Sequence, residues 1–448
     1  MIAGRDDLAT TRAREIALSS LEAGLDASDP VTVLENSLSV SEGTLHVQDD
    51  TYDLDTFERV IVVGGGKASG EQARALERIL GDQIDAGVVV TVESVDLDAI
   101  DVRIGDHPVP SERGVEGTRD ILDLLSDTDT DTLVIALITG GGSALLPAPV
   151  DGITLDDLQD VTESLLASGA SIFEINAVRK HLSSIKGGGL ASAASPATVI
   201  GLMMSDVVGD DLSVIASGPT VADDSTFQDA ANVLDRYAIE APETVMDRIE
   251  AGQGGDIPET PGSGDAVFDH VSNYLTADGA TALRAAQAHL DAHSIETLFL
   301  SSRIRGEARE AAIHHVAIAE EMRATGHPID PPAVVLSAGE TTVTLRGDGE
   351  GGPNQEFALR GAIECDPGVT IAAIDTDGID GASPAAGAIV DAETVDDVEA
   401  ARDALDGNDA YPYLRARNAS IDTGPTGTNI NDLRVMVVES PDSQGSGI

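Results

Sequence analysis

Short apolar runs alternate along the chain with stretches in which apolar residues recur at helical spacing. Continuous apolar runs of this kind are typical of buried parallel strands, and the intervening helical stretches are typical of α/β folds. We therefore predict an α/β protein. The strand-like runs are 59–63, 88–90, 133–138, 199–204, 334–336, 369–374 and 435–438, and the main helical stretches are 9–38, 171–189, 278–292 and 306–324.

The α/β pattern is interrupted once, at residues 251–270, where Gly, Pro and acidic residues accumulate. Such a composition indicates a linker or a long loop. A chain of 448 residues has room for two or three domains at roughly 150 residues each. We expect an N-terminal domain at 1–250, the linker or loop at 251–270, and a smaller α/β domain at 271–440.

The charge balance excludes whole classes of partner. The chain has 26 Lys and Arg against 79 Asp and Glu, a formal net charge of −53. Nucleic acids and anionic membranes bind basic surfaces, so neither is an expected partner. The acidity is spread over the whole chain and aromatic residues make up only 2%. We expect a protein adapted to molar salt, which screens repulsion between surface charges; the alternative is an acidic protein of ordinary salinity.

The sequence predicts a cytoplasmic protein. No apolar run approaches the 18 residues that would indicate a membrane-spanning helix. The first ten residues, MIAGRDDLAT, are polar and do not resemble a signal peptide. The single cysteine, Cys365, excludes an internal disulfide and a cysteine-based metal site.

Lysine is scarce, which draws attention to the three positions that keep it: Lys67, Lys180 and Lys186. Lys67 follows a predicted strand and three glycines, Gly64 to Gly66. Backbone N–H groups of such a loop can approach an anion, so Gly65 and Gly66 are candidate phosphate-binding or carboxylate-binding residues. The alternative is a tight turn with a solvated lysine.

Two further segments carry candidate anion ligands. A second glycine-rich loop follows the run 133–138 and offers Gly141, Gly142 and Ser143. Its alternative is a plain glycine turn. The predicted helix 171–189 has an apolar face and an opposite polar face, which is expected to attract a polyanion or to form salt bridges with acidic neighbours. That polar face consists of Asn176, Arg179, Lys180, Ser183 and Lys186.

Acidic residues also follow predicted strands, where ligands of open α/β sheets bind. Asp206 follows the run 199–204, and Glu340 and Asp377 follow runs in the C-terminal half. Asp206 is a candidate base or Mg²⁺ ligand, and Asp377 is a candidate metal ligand. The alternative for Asp377 is an Asx-type turn.

These motifs resemble those of the glycerate kinases that carry a C-terminal MOFRL domain. The resemblance extends from about residue 10 to about 438, with the MOFRL region at about 330–438. Its N-terminal motifs are VVGGGKASG, TGGGSALLPAP, INAVRKHLSSIKGGGLA and SDVVGDDLSVIASGPT; its C-terminal motifs are AGETTVTLRGDGEGGPNQE, IDTDGIDGASPAAGAIVD and TGPTGTNINDL.

The resemblance implies a Rossmann-like N-terminal domain, a smaller α/β domain and an active site in the cleft between them. It implies Mg²⁺-dependent transfer of phosphate from ATP to D-glycerate, giving 2-phosphoglycerate. The family lysine and aspartate match Lys67 and Asp206. One departure is Pro353, where many members have arginine. If that arginine contacts phosphate in those members, another cation such as Arg346 or Arg179 must do so here.

From these residues we expect Lys67 to clamp a carboxylate or phosphate and Asp206 to orient or deprotonate the attacking hydroxyl. Closure of the second domain is expected to bring Glu340 and Asp377 to the site and to exclude water. Two alternatives remain at this point: an NAD(P)-dependent hydroxypyruvate reductase and a non-catalytic regulator that binds a sugar phosphate. A homodimer is a further expectation.

Overall fold

Helices and strands alternate over most of residues 1–441, the part of the chain that the computed structural model describes. The helices are α1 (Arg5–Leu8), α2 (Arg12–Ser28), α3 (Pro30–Ser37), α4 (Ser69–Leu80), α5 (Glu112–Leu125), α6 (Gly142–Leu145), α7 (Leu155–Ser168), α8 (Ile172–His181), α9 (Gly189–Ala194), α10 (Phe227–Arg236), α11 (Glu243–Gln253), α12 (Gly279–Ala292), α13 (Ala308–Thr325), α14 (Pro353–Glu364), α15 (Val398–Asp406) and α16 (Ala410–Arg415). Short 3₁₀ helices cover Leu54–Thr56, Gly81–Gln83, Ile215–Ser217 and Ala266–Phe268.

The strands are β1 (Leu38–Ser41), β2 (Thr44–Val47), β3 (Asp50–Asp53), β4 (Arg59–Gly65), β5 (Ala86–Thr91), β6 (Ile100–Ile104), β7 (Thr132–Ile138), β8 (Thr198–Met204), β9 (Val271–Ala277), β10 (Glu296–Glu307), β11 (Ala333–Thr342), β12 (Val369–Asp375), β13 (Gly387–Asp391), β14 (Ser420–Ile421) and β15 (Asp432–Val438). The described residues form two compact units. One comprises Pro30–Thr276, and the other comprises Met1–Asp29 together with Ala277 onward.

The unit Pro30–Thr276 is built on a six-stranded sheet in the order β6-β5-β4-β7-β8-β9. Strands β6, β5, β4, β7 and β8 are parallel neighbours. The chain adds strands on one side of β4 first and then on the other side, which is the strand order of a Rossmann-like sheet. The predicted fold class is therefore confirmed. The order reverses between β4 and β7, so this is the position at which such sheets bind ligands.

Both faces of this sheet are buried, which explains why its strands are continuous apolar runs rather than alternating ones. Every residue of β7 is buried. One face packs against α4 and the small antiparallel sheet β1-β2-β3, and the other packs against α5, α6 and α9. The apolar pattern thus fixes which runs become the central strands.

The second unit has a mixed six-stranded sheet in the order β10-β11-β15-β12-β13-β14. Strands β10 and β11 are parallel, and the other neighbouring pairs are antiparallel. The predicted runs 334–336, 369–374 and 435–438 lie within β11, β12 and β15. Strand β10 was not predicted; its apolar run is limited to 298–300, and most of its residues are only partly buried.

The boundaries of the units differ from the predicted domains at the N-terminus. Helix α2 packs with the C-terminal half, where Arg14 donates to Asp391 at 2.8 Å. A Cβ on Gly24 would lie only 2.6 Å from Leu433 Cδ2, so this helix approaches β15 closely. The composition of the sequence cannot predict these contacts, because they join residues more than 370 positions apart.

Residues 251–270, predicted as a linker or a long loop, lie within the unit Pro30–Thr276. Helix α11 extends into it as far as Gln253, and β9 follows it at the edge of the first sheet. Glycine and proline indicate irregular backbone here, but they do not separate two domains.

Two predicted helices are shorter than expected. The stretch 9–38 divides at Asp29 into α2 and α3, because Pro30 begins a new helix. The stretch 171–189 is helical only as far as His181. Among residues 1–441, none of the helices combines the length and apolar content that a bilayer crossing requires.

Candidate active site

The candidate site lies where the strand order reverses in the sheet of Pro30–Thr276. Lys67 follows β4, the loop Gly140–Ser143 follows β7, and Asp206 follows β8. Because these strands are parallel neighbours, their carboxyl ends bring the three segments to one edge. The structure therefore places together three segments that are far apart in sequence.

The turn after β4 is closely packed rather than open. The N–H of Gly66 donates to Val90 O at 3.1 Å, that of Lys67 to Gly140 O at 2.8 Å, and that of Ala68 to Thr139 Oγ1 at 3.1 Å. A Cβ on Gly66 would overlap Thr139 Oγ1. The turn is glycine-rich because two loops approach each other here, and the predicted anion contact through the N–H groups of Gly65 and Gly66 gains no support from this geometry.

The loop after β7 is partly exposed at Gly141 and Ser143 and buried at Gly140 and Gly142. No hydrogen bond from the N–H groups of Gly140 or Gly141 is formed within the described residues. Gly141 has φ +81, and a Cβ there would lie 3.1 Å from both Lys67 Cγ and His107 Cδ2. The loop thus borders the side chains of Lys67 and His107. Gly142 begins the four-residue helix α6, which is too short to contribute a helix dipole of any size.

Asp206 lies against the same loop, since a Cβ on Gly140 would overlap its carboxylate. Burial raises the pKa of Asp206 above its ordinary value, while a hydrogen bond from its own backbone N–H and the charge of Lys67 oppose that shift. Lys67 and Asp206 are both partly buried. A carboxylate and an ammonium beside a partly exposed main-chain loop can bind an anion and accept a proton from a neighbouring hydroxyl.

Ser143 belongs to a chain of three hydrogen-bonded side chains. Its Oγ lies 2.8 Å from Ser217 Oγ, and the Ser217 hydroxyl donates to Asn176 Oδ1 at 2.8 Å. Ser217 and Asn176 are buried, whereas Ser143 is partly exposed. Ser217 is not among the residues predicted from the sequence, since a lone serine in ASGPT carries no signal of its own. His107 also lies at the site, although its sequence, DHPVP, indicates only a loop.

Lys180 does not present its charge to a ligand. Its Nζ lies 3.0 Å from Asp223 Oδ1, and both side chains are buried. Burial acts to raise the pKa of Asp223, but the charge of Lys180 and hydrogen bonds from Ser225 outweigh it, so the pKa is lowered. The salt-bridge alternative for this helix face therefore applies to Lys180.

Lys186 is also internal, and it lies beyond the end of α8 rather than on its polar face. Its ammonium donates to the carbonyl oxygens of Ser143 and Leu146 at 2.8 and 3.0 Å. Burial, and then repulsion by Arg179, lower the pKa of Lys186 to about 7. Lys186 thus supports the loop that carries Ser143. Arg179 is partly exposed, and within residues 1–441 it forms no ion pair.

In the second unit, Glu340 is exposed and accepts from Asn431 Nδ2 at 3.1 Å. Asp377 forms the Asx-type turn that was the alternative: its Oδ1 accepts from the N–H of Ile379 at 2.9 Å. Asp380 accepts from the N–H groups of Asn354 and Gln355, next to Pro353 at the start of α14. Burial raises the pKa of Asp380 to about 7. The described residues contain no cluster of three or more His, Cys, Asp or Glu side chains placed for a metal ion.

The Rossmann-like sheet, with its loops meeting at the reversal point, and the second mixed sheet define a two-unit α/β protein. Two family models match the chain: the domain of unknown function DUF4147 at residues 16–250 and the MOFRL family at residues 333–432.

Three similar proteins extend this finding. A glycerate 2-kinase of Pyrococcus horikoshii is 38% identical over 440 residues, covering 95% of this chain and 98% of that protein. A protein of Agrobacterium vitis named putative hydroxypyruvate reductase is 42% identical, covering 85% of this chain and 87% of that protein. The crystal structure of a glycerate kinase from Thermotoga maritima is 35% identical, with a TM-score of 0.83 over 95% of this chain and 99% of that one. The chain belongs to the glycerate kinase family that combines the DUF4147 and MOFRL regions.

Proposed function

We propose that this protein transfers the γ-phosphate of ATP to D-glycerate, giving 2-phosphoglycerate and ADP. The observation that carries the proposal is the meeting of Lys67, Asp206 and the partly exposed loop Gly140–Ser143 at the reversal point of the Rossmann-like sheet. The similar proteins from Pyrococcus horikoshii and Thermotoga maritima are named as glycerate kinases, which supports the same reaction.

Phosphoryl transfer requires positioning and neutralisation of charge more than covalent chemistry. Lys67 binds the transferring phosphate or the glycerate carboxylate through its ammonium. Asp206 orients or deprotonates the attacking hydroxyl or, as the alternative, holds Mg²⁺. Gly140 and Gly141 offer main-chain N–H groups to anionic oxygens, and Arg179 adds a guanidinium that has no carboxylate partner in the described chain.

Mg²⁺ is part of the proposal, and the donor set of the site fits it. Mg²⁺ in kinases is held by substrate phosphates together with one or two carboxylates, not by a cage of protein ligands. Asp206 is the carboxylate at this edge that would hold the ion, and the ion would neutralise phosphate charge when bound. Glu340 and Asp377 remain predicted contributors, and an active site shared by the two domains remains a prediction.

A hydroxypyruvate reductase is the main alternative because the Agrobacterium vitis protein carries that name. Dinucleotide-binding sheets place an acidic residue at the end of the second strand to bind the ribose. Here β5 ends at Thr91, whose hydroxyl donates to Lys67 O at 3.0 Å and thus serves the packed turn. This geometry favours the kinase. A regulator that binds a sugar phosphate would instead bind its ligand without releasing ADP.

The deciding experiment measures ADP release from ATP and Mg²⁺ in molar KCl, with and without D-glycerate. We expect ADP only when glycerate is present, and ³¹P NMR should show phosphate on the 2-hydroxyl. A parallel reaction with hydroxypyruvate and NADH should leave the absorbance of NADH unchanged. Oxidation of NADH without ADP release would instead establish the reductase, and ligand binding without either product would establish the regulator.

We also propose the cellular compartment and the salt concentration in which the protein acts. The net charge of −53 supports action in the cytoplasm of a cell that accumulates salt. Unfolding followed in 0.1 M and 3 M KCl should give a higher free energy of unfolding at the higher concentration. A homodimer remains a prediction, which light scattering in the same buffers would measure.

A further inference from the structure

The hydrogen bonds that link Ser143, Ser217 and Asn176 all run in one direction when the Asn176 amide is oriented as in this structure. A serine hydroxyl has one proton, and that of Ser217 goes to Asn176 Oδ1. The 2.8 Å contact between the two serines can then form only if Ser143 donates to Ser217. In this arrangement the proton of Ser143 points into the protein, and the hydroxyl offers an approaching anion only lone pairs.

Asn176, at the buried end of this series of hydrogen bonds, carries an unsatisfied donor. Asn176 is 3% exposed, and its Nδ2 is buried without a partner. A buried amide N–H without an acceptor is unfavourable. A half-turn of the Asn176 amide about its last side-chain bond exchanges Oδ1 and Nδ2. Nδ2 then donates to Ser217, Ser217 donates to Ser143, and the Ser143 proton is released toward the partly exposed side.

The backbone of Ser217 is held in place by its surroundings, so its hydroxyl can take part in this series of hydrogen bonds. It has φ +63 and follows Ala216 at φ +49, a backbone conformation that non-glycine residues adopt only where their surroundings enforce it. Its carbonyl accepts from the N–H of Gly187 at 3.0 Å, and a Cβ on Gly142 would lie 2.6 Å from Ala216 Cβ. The main chain of Ser143 is fixed in turn by Lys186.

We propose that Asn176, Ser217 and Ser143 form a reversible hydrogen-bond relay that turns the Ser143 hydroxyl into a donor when an anionic group of the substrates arrives. Ser217 and Asn176 are positioning residues, and Ser143 touches the anion. No proton leaves its heavy atom: two hydroxyls and one amide rotate. A hydrogen bond to a charged oxygen is stronger than one between neutral groups, so the anion favours the reversed direction.

The proposal rests on the proposed kinase function for the identity of the anion, and the test separates the two. Asn176→Asp, ionised under mildly alkaline conditions, can only accept a hydrogen bond, so it locks the relay in its inward direction. We expect KM for ATP or D-glycerate to rise about tenfold or more, with kcat changed less. The double variant Asn176→Asp with Ser217→Gly cuts the chain, frees the Ser143 proton and should recover most of that loss.

Ser217→Gly alone should raise KM less than Asn176→Asp does. In this variant the Ser143 proton is free, but no neighbouring side chain directs it toward the anion. Glycine suits φ +63, so this variant should fold. Ala216→Gly is the matched control: it relaxes the same backbone, keeps all three relay side chains, and should behave as the parent protein. Melting temperatures of all four variants report any loss of folding.

Two results would overturn the relay. One is a double variant as impaired as Asn176→Asp, which would show that the added charge alone weakens binding. The other is an Asn176→Asp variant with unchanged KM. If the parent protein releases no ADP, the kinase proposal fails instead, and the same comparison of variants is then made by calorimetric titration with ATP and with inorganic phosphate.

Discussion

The three lysines of this protein lie in two different environments within the same unit. At the ends of β4 and β7, Lys67 is partly buried beside Asp206 and a partly exposed main-chain loop. Around α8, Lys180 and Lys186 are buried, one against Asp223 and the other against two carbonyl oxygens. The chain has a net charge of −53 and only three lysines, and these include one at the candidate site as well as two that are paired inside the protein. The partners of each side chain, rather than its rarity, indicate its role.

The largest effect is expected at Lys67. Lys67→Ala removes the ammonium that neutralises phosphate or carboxylate charge, so kcat/KM for glycerate-dependent ADP release should fall by about 10³-fold or more. The melting temperature should change little, since Lys67 is only partly buried. Lys67→Arg serves as the control that keeps the charge. Full activity of the alanine variant would remove Lys67 from the mechanism.

The opposite behaviour is expected of Lys180. Lys180→Ala leaves the carboxylate of Asp223 buried without its cation, which should lower the free energy of unfolding by about 3–5 kcal/mol. The double variant Lys180→Met with Asp223→Leu removes both charges and should be more stable than the single variant. Denaturant titration measures both. A stable Lys180→Ala protein with strongly reduced substrate affinity would place Lys180 in the binding site after all.

The packed turn after β4 offers a third comparison. Gly66→Ala forces a Cβ into Thr139 Oγ1, and at φ +148 the backbone is strained as well, so stability should fall by about 3 kcal/mol or more. The control is Gly152→Ala at φ +88, where nothing lies within 4 Å of a Cβ, and the loss should be about 1 kcal/mol. Equal losses in the two variants would show that the turn is looser than its contacts indicate.

The smallest effect concerns pH and Lys186. The unfolded chain keeps the lysine proton up to about pH 10.5, whereas the folded protein releases it near the pKa of about 7. Between these values the unfolded state binds more protons, so this group adds stability as pH rises, by at most about 1.4 kcal/mol per pH unit. The free energy of unfolding of the parent protein minus that of Lys186→Met should therefore increase from pH 7 to 9. A constant difference would contradict the assigned environment.

The acidic loops of the two units show how much a residue pattern can predict about the role of an aspartate. Asp206 and Asp380 both follow buried strands, β8 and β12. Asp206 lies beside Lys67, whereas Asp380 is buried and accepts from the first N–H groups of α14. The pattern placed both carboxylates near a sheet edge, but it could not show which hydrogen bonds were already made.

By itself, the sequence determined the fold class, the central strands of both sheets and the segments that meet at the reversal point. These follow from continuous apolar runs and from glycines next to them, which are local and readable along the chain. The tertiary structure alone decided that α2 joins the C-terminal half, that Lys180 and Lys186 are internal, and that Ser217 joins Ser143 to Asn176. Each of these depends on contacts between residues 40 or more positions apart, whose geometry exists only after the chain has folded.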